Sequence, residues 1–173
     1  MCAVPGGEVQ ESLSNDELFM AEAIQEAKLA LANGEVPVGA LIVLEGKIIA
    51  RGRNTTRQNT SPLGHAEIEA IRAACSVLKN ERLIGCEMFV TKEPCTMCAG
   101  ALIHARVARV VIGAKDAKYG ACGTVFNIAG NPLYNHVPEI LFGVLGDTCS
   151  AMLTSFFESL RAARKRGHNG NND

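Results

Sequence analysis

The sequence predicts an α/β layered fold built on a mixed sheet. Stretches with apolar residues at helical intervals alternate with short β-rich runs, the pattern of helices packed on a sheet. The first two β-rich runs are joined by a tight turn and should pair antiparallel, whereas later runs are separated by helical stretches long enough for parallel crossovers. With 173 residues, 47% apolar and 20% charged, the chain has the balance of one globular domain with a packed core.

The elements follow in order. Residues 1–13 are expected to be a disordered tail, 14–166 the domain, and 167–173 a flexible polar tail. Ser14-Asn15-Asp16-Glu17 has the spacing of a capping box. Leu18, Ala21, Ile24, Ala27 and Leu31 then recur at helical intervals, and Asn33-Gly34 stops the helix. Val38 to Leu44, the turn Glu45-Gly46, and Lys47 to Arg51 read as a hairpin. Residues 54–64 form a polar loop. His65 to Leu78 is helical, with Ile68, Ile71, Ala74 and Cys75 expected inward. Glu87 to Thr91 is a short buried strand, Pro94 to His104 a helix, and Val107 to Ile112 another strand. Residues 115–131 read as a long loop with a helical turn at most. Ile140 to Leu145 is a last strand. Asp147 caps a final helix to about Arg166, with Met152, Leu153, Phe156, Phe157 and Leu160 inward.

Composition narrows the function. No apolar run is long enough to span a bilayer. The first residues lack the basic and apolar regions of a signal peptide, so a cytoplasmic location without membrane attachment is expected. Seven cysteines are an odd number without the spacing of a disulfide framework. Cys75, Cys86, Cys122 and Cys149 read as small buried hydrophobes, and Cys2 as an exposed tail residue. The net charge of −1 does not by itself point to nucleic acid. Glu8, Glu11, Asp16 and Glu17 make the N-terminus acidic. Arg161, Arg164, Lys165 and Arg166 make the C-terminus basic, which suits either a solvated helix end or phosphate contact.

The chemistry concentrates in Glu93-Pro94-Cys95-Thr96-Met97-Cys98 and His65-Ala66-Glu67. Pro94 suits a helix start, because its missing N–H would be an unpaired donor there anyway. Cys95 and Cys98 then share one side of the first turn, and the positive end of the helix dipole favours their thiolates. With His65 they make three zinc ligands, one ion per chain, and a fourth position left open for water marks a catalytic zinc. Two thiolates and a neutral histidine leave the metal little net charge, so a general base beside the water is needed. Glu67 lies within the same turn as His65 and is the candidate proton carrier. Each motif alone has a plainer reading: a bonded core histidine, a redox pair, a carboxylate at a helix start. His104, His136 and His168 lack such partners. Glu93 suits either support of the metal site or packing.

Together these residues match the H-x-E … P-C-x-x-C signature of the zinc-dependent nucleobase deaminases. Further stretches resemble the bacterial tRNA-specific adenosine deaminases. They are Gly34-Glu35-Val36-Pro37-Val38-Gly39-Ala40, Gly52-Arg53-Asn54, Gly113-Ala114-Lys115-Asp116-Ala117-Lys118-Tyr119-Gly120, Asn135-His136 and Phe156-Phe157. The resemblance covers about residues 15–166. It implies a cytidine-deaminase-like three-layer α/β/α fold with a five-stranded mixed sheet, and a homodimer with its sites near the interface. It implies hydrolytic conversion of a wobble adenosine in a tRNA anticodon stem-loop to inosine, with release of ammonia.

By position, the resemblance implies that Asn54 hydrogen-bonds the flipped adenine, that the Ala66 N–H faces the exchanging oxygen, that Asp116 touches the sugar and that Val36 walls the pocket. Each also has a plainer role, as turn, helix, loop or core residue. Lys92 and Tyr119 depart from the pattern, Lys92 standing where an apolar or small residue is usual. Two other functions share the zinc motif. One is a deaminase of free guanine, cytosine or another small base. The other is a non-catalytic zinc-stabilised subunit of an editing complex, for which Glu67 would be superfluous.

Overall fold

The structure is a computed structural model that describes residues 13–169, with the side chains of 167–169 excepted. The expected N-terminal tail up to residue 12 with Cys2, the last residues 170–173 and the side chain of His168 lie outside the described residues. The elements run α1 (Asn15–Ala32), β1 (Gly39–Leu44), β2 (Lys47–Arg53), α2 (Ala66–Leu78), β3 (Glu87–Lys92), α3 (Thr96–Ala105), β4 (Arg109–Ala114), β5 (Glu139–Phe142) and α4 (Gly146–Asn169). The sheet has five strands in the order β2-β1-β3-β4-β5. β1 pairs antiparallel with both β2 and β3, and β3, β4 and β5 run parallel. The mixed sheet expected from the connections is therefore present.

Helices cover both faces. Leu41, Val43, Phe89 and Val111 point to one face and pack with Met20, Ala23 and Ile24 of α1 and Cys149 of α4. Ala40, Ile42, Met88, Val90, Val110 and Ile112 point to the other and pack with Ala66, Ala70 and Ala74 of α2 and Ala99 and Leu102 of α3. Because both faces are covered, the central strands read as unbroken apolar runs rather than alternating ones. The capping box at α1 is formed: Ser14 Oγ accepts from the Glu17 N–H at 3.3 Å, and the Ser14 N–H donates to the Glu17 carboxylate at 2.7 Å.

Several expectations about faces and boundaries change: the last strand ends at Phe142 rather than Leu145, and α4 starts at Gly146, which places Asp147 inside its first turn rather than at the cap. The buried side of α2 is Ala66, Glu67, Ala70 and Ala74. Ile68, Ile71 and Cys75 are only partly buried, because small residues let the helix backbone lie almost on the sheet. α3 begins at Thr96 with Cys95 as its N-cap, so Pro94 precedes the helix rather than opening it. On α4, Phe156 is buried but Phe157 is 41% exposed, since the next residue on a helix lies about 100° around the axis. Cys86, Cys122 and Cys149 are buried as expected, and Cys75 is half-buried.

Two glycines set the helix–sheet spacing. A Cβ on Gly39 would lie 2.1 Å from the Ala23 carbonyl oxygen of α1, and one on Gly52 would lie 2.2 Å from the Ala66 carbonyl oxygen of α2. Both obstructions are backbone, so relief would require moving a helix. Gly52→Ala should thus cost about 1–3 kcal/mol, the usual penalty of overpacking. Denaturant unfolding reads the loss, and bound metal should fall with it because α2 carries His65.

Charges tie the start of α1 to the sheet. Arg109 of β4 bonds the Asp16 carboxylate through both guanidinium nitrogens, at 2.9 and 2.6 Å, and Glu87 of β3 at 2.8 Å. The Arg109 hydrogen bond holds Asp16 below its ordinary value, against the opposing effect of burial. A depressed carboxylate contributes stability that is complete above its unfolded value, about pH 4, and is lost as pH falls through the folded one. Arg109→Ala should cost on the order of 1–3 kcal/mol at neutral pH. In acid titrations followed by circular dichroism, its deficit relative to the parent should shrink below about pH 4, as Asp16 protonates in both.

Candidate active site and metal centre

The helix starts of α2 and α3 meet on one side of the sheet. His65 is the N-cap of α2 and Cys95 the N-cap of α3, and neither side chain caps its own helix. Both are therefore free to turn toward each other. Cys98 follows one turn into α3 and is fully buried. His65 Nδ1 lies 3.6 Å from Cys95 Sγ and 3.5 Å from Cys98 Sγ, and the two sulfurs are 3.7 Å apart.

These distances suit a tetrahedral ion. Zinc–sulfur bonds of about 2.3 Å and zinc–nitrogen bonds of about 2.0–2.1 Å give S···S edges near ~3.8 Å and N···S edges near ~3.5 Å. Among the described residues, this is the cluster of histidine, cysteine and acidic groups able to hold a metal. The donor set, one imidazole and two thiols, is that of a zinc site with one position open. The Cys98 hydrogen bond, then that of His65, pulls the Cys95 thiol down to about 3. Cys98 goes the other way, raised by its hydrogen bond with Cys95 and by burial. The hydrogen bond with Cys95 raises His65. Two helix N-termini aimed at the sulfurs favour negative charge there.

Glu67, at the second position of α2, is 4% exposed. Burial pushes its carboxyl up, against the pull of its own backbone N–H and of His65. A carboxylate raised toward neutrality can both take and return a proton. His65, Glu67 and Cys95 line a cavity of about 230 Å³ together with Val36, Val38, Asn54, Thr56, Lys92, Glu93, Tyr119 and Phe157. A larger groove of about 450 Å³ runs along α3 beside Arg82, His104 and Tyr134, but it holds none of the three metal donors.

The residues assigned by resemblance fall in different places. Asn54 and Val36 line the cavity. Ala66 is fully buried at the first position of α2, where the N–H has no acceptor within the helix. Asp116 is not among the lining residues. Its carboxylate pairs with Lys92, which does line the cavity, and accepts the Lys118 N–H at 2.9 Å. Burial pushes Asp116 up, but Lys92 and the Lys118 N–H outweigh it and leave the group lowered. The unusual lysine thus has a partner inside the chain. His136 Nε2 lies 2.7 Å from the Val107 carbonyl, a structural contact.

Glu93 turns out to organise a loop. Its carboxylate accepts the N–H groups of Asp116, Cys122 and Thr124 at 3.0, 3.1 and 3.1 Å. Sequence reasoning gave no role to Glu35, Thr56, Val38 or a lining Phe157. A lone carboxylate between the turn residues Asn33-Gly34 and the apolar stretch Val36-Pro37-Val38 was the available signal for Glu35.

Comparison with known proteins agrees with this geometry. Residues 13–114 match the cytidine and deoxycytidylate deaminase zinc-binding region. The chain is 46% identical over 153 residues to a tRNA-specific adenosine deaminase of Bacillus subtilis, covering 88% of this chain and 95% of that one. It is 43% identical over 145 residues to a protein of the same name from Aquifex aeolicus, covering 84% and 95%. Among solved structures it resembles one from studies of A-to-I editing by tRNA:A34 deaminases, with a TM-score of 0.76, 42% identity and coverage of 79% and 99%. It also resembles a guanine deaminase from Nitrosomonas europaea, with a TM-score of 0.73, 25% identity and coverage of 84% and 86%. A tetrahedral donor triangle, a buried glutamate beside it and this breadth of likeness have one source: the chain belongs to the zinc-binding cytidine and deoxycytidylate deaminase family, in the group of the tRNA-specific adenosine deaminases.

Proposed function

We propose that the protein converts the wobble adenosine of a tRNA anticodon to inosine, consuming water and releasing ammonia. One observation carries the reading: a buried glutamate beside a three-donor zinc site, in a chain that aligns with 95% of the Bacillus subtilis tRNA-specific adenosine deaminase. A zinc ion held by His65, Cys95 and Cys98 would polarise a water and lower its pKa toward neutral. Glu67 takes a proton from the attacking water and gives it to the ring nitrogen beside the reacting carbon. It then carries a proton to the departing amine, so that water adds oxygen and ammonia leaves. The raised carboxyl of Glu67 suits both directions of transfer.

The cavity supports a single base. Its volume of about 230 Å³ is below the ~300–1,000 Å³ of drug-sized sites. A target in a nucleic acid must therefore leave its stack to enter, and an anticodon loop offers bases already partly splayed. Val36 and Phe157 wall the base, Asn54 faces its edge, the Ala66 N–H faces the exchanging oxygen and Asp116 lies toward the sugar. The exposed Arg164, Lys165 and Arg166 on α4 suit contact with phosphates. The same reading makes the protein a cytoplasmic homodimer. No helix among the described residues is long and apolar enough to cross a membrane.

The likeness to the Nitrosomonas europaea guanine deaminase favours a second reading, deamination of a free base. The assay that separates them offers purified protein an anticodon stem-loop with wobble adenosine, alongside free adenine, guanine and cytosine. Inosine should form in the stem-loop fastest. Ammonia from a free base with no reaction of the stem-loop would replace the tRNA reading.

Glu67→Ala should retain the fold and about one zinc per chain, while turnover falls by at least ~10² to 10⁴. Elemental analysis and single-turnover inosine formation read the two quantities. Near-normal turnover in a metal-replete variant would remove Glu67 from the mechanism.

A further inference from the structure

Glu35 lies in the turn after α1 and is 1% exposed, with no role in metal binding or proton transfer. Its carboxylate is fully engaged. One oxygen accepts the N–H groups of Arg57 and Gln58, each at 2.8 Å. The other accepts the Asn54 side-chain amide at 3.0 Å and the Thr56 hydroxyl at 3.1 Å. Thr56 Oγ1 in turn accepts from Asn54 Nδ2 at 3.2 Å.

The proton count fixes the amide. An asparagine NH₂ has two protons, and here Glu35 and Thr56 take both. Thr56 has one hydroxyl proton and gives it to Glu35, so it has none for a reversed Asn54. A reversed amide would set its oxygen against the Glu35 oxygen, with no proton between them. Asn54 Oδ1 is left over. No hydrogen bond reaches it among the described residues, and Asn54 lines the cavity while only 6% exposed.

We propose that Glu35 is a positioning residue that holds the Asn54 amide with its oxygen toward the substrate, so that this point of the pocket accepts a hydrogen bond and does not donate one. The proposal rests on the reading of an adenosine nucleotide as substrate. The ring nitrogens of adenine carry no proton, so they cannot be its partner. The donors that remain on the target nucleotide are the exocyclic amine and the ribose 2′-hydroxyl. The site therefore selects an N–H or O–H donor of the nucleotide.

A swapped pair tests this. In Glu35→Gln the new amide oxygen can still accept from Arg57 and Gln58, while its NH₂ donates to Asn54 and turns that amide around. Zinc content and melting should be retained, while kcat/KM on the anticodon stem-loop falls by at least ~10-fold, as a buried hydrogen-bond mismatch implies. Adding Asn54→Asp restores an acceptor: the introduced amide NH₂ bonds one carboxylate oxygen and the other faces the cavity. E35Q/N54D should recover most of the lost rate, whereas N54D alone, with two carboxylates in contact, should not. A purely structural role for Glu35 predicts no such recovery. Proton exchange of the Asn54 side chain, followed by NMR without substrate, should be slow at both amide protons in the parent and fast in E35Q. A stem-loop with 2′-deoxyadenosine at the target identifies the donor. If the E35Q defect vanishes there, the partner is the 2′-hydroxyl; if it persists, the amine. A parent-like E35Q, a double variant no better than E35Q, or fast exchange in the parent would overturn the proposal. Should the parent not act on the stem-loop at all, the functional reading falls and the exchange measurement alone decides this one.

Discussion

Three donor atoms from two separate helices must sit within 3.7 Å of one another, and the architecture follows from that requirement. Both helices begin on the same side of the sheet, so their first turns converge. β3 and β4 run parallel, which places α3 between them as a crossover on the same face as α2. α2 reaches its position only because Gly52 has no side chain where the strand meets the helix backbone. A bulkier residue would shift the imidazole relative to the two sulfurs, and a displacement of well under an ångström would spoil the tetrahedron.

Around this triangle the protein uses buried carboxylates as fasteners. Glu35 gathers residues 54–58 on one wall of the cavity. Glu93 gathers residues 116–124 on the other. Each accepts several N–H or O–H groups, which offsets the cost of removing a charge from water. Glu67 differs: burial outweighs its hydrogen bonds and leaves its carboxyl raised, the state that the proposed proton transfer would use. The buried carboxylates thus differ in how many donors surround them: Glu35 and Glu93 each hold a loop, and Glu67 does not.

Much of this was legible in the sequence. Capping at Ser14, the hairpin, the mixed sheet and the metal donors each follow from local rules of spacing and side-chain chemistry. The inward faces of α2 and α4 were less legible. Periodicity favours large apolar residues, yet α2 buries alanines because the sheet approaches too closely for Ile68 or Ile71. Phe157 looks like core by hydropathy, but its place on the helix turns it toward the cavity. The tasks of Glu35 and Glu93 depend on loops whose course no local pattern specifies. Lys92 could be noted as unusual, but its pairing with Asp116 joins the ends of two strands and required the fold.

The Glu93 clasp has a kinetic consequence. The stretch from Asp116 to Thr124 contains little regular structure beyond the bridge between Cys122 and Asn127, yet three of its amides end on one carboxylate. Such a segment does not fray residue by residue. Releasing any one amide leaves the other two in place, so large excursions require all three bonds to break together. The segment from Asp116 to Thr124 is therefore held to Glu93 as one unit rather than residue by residue.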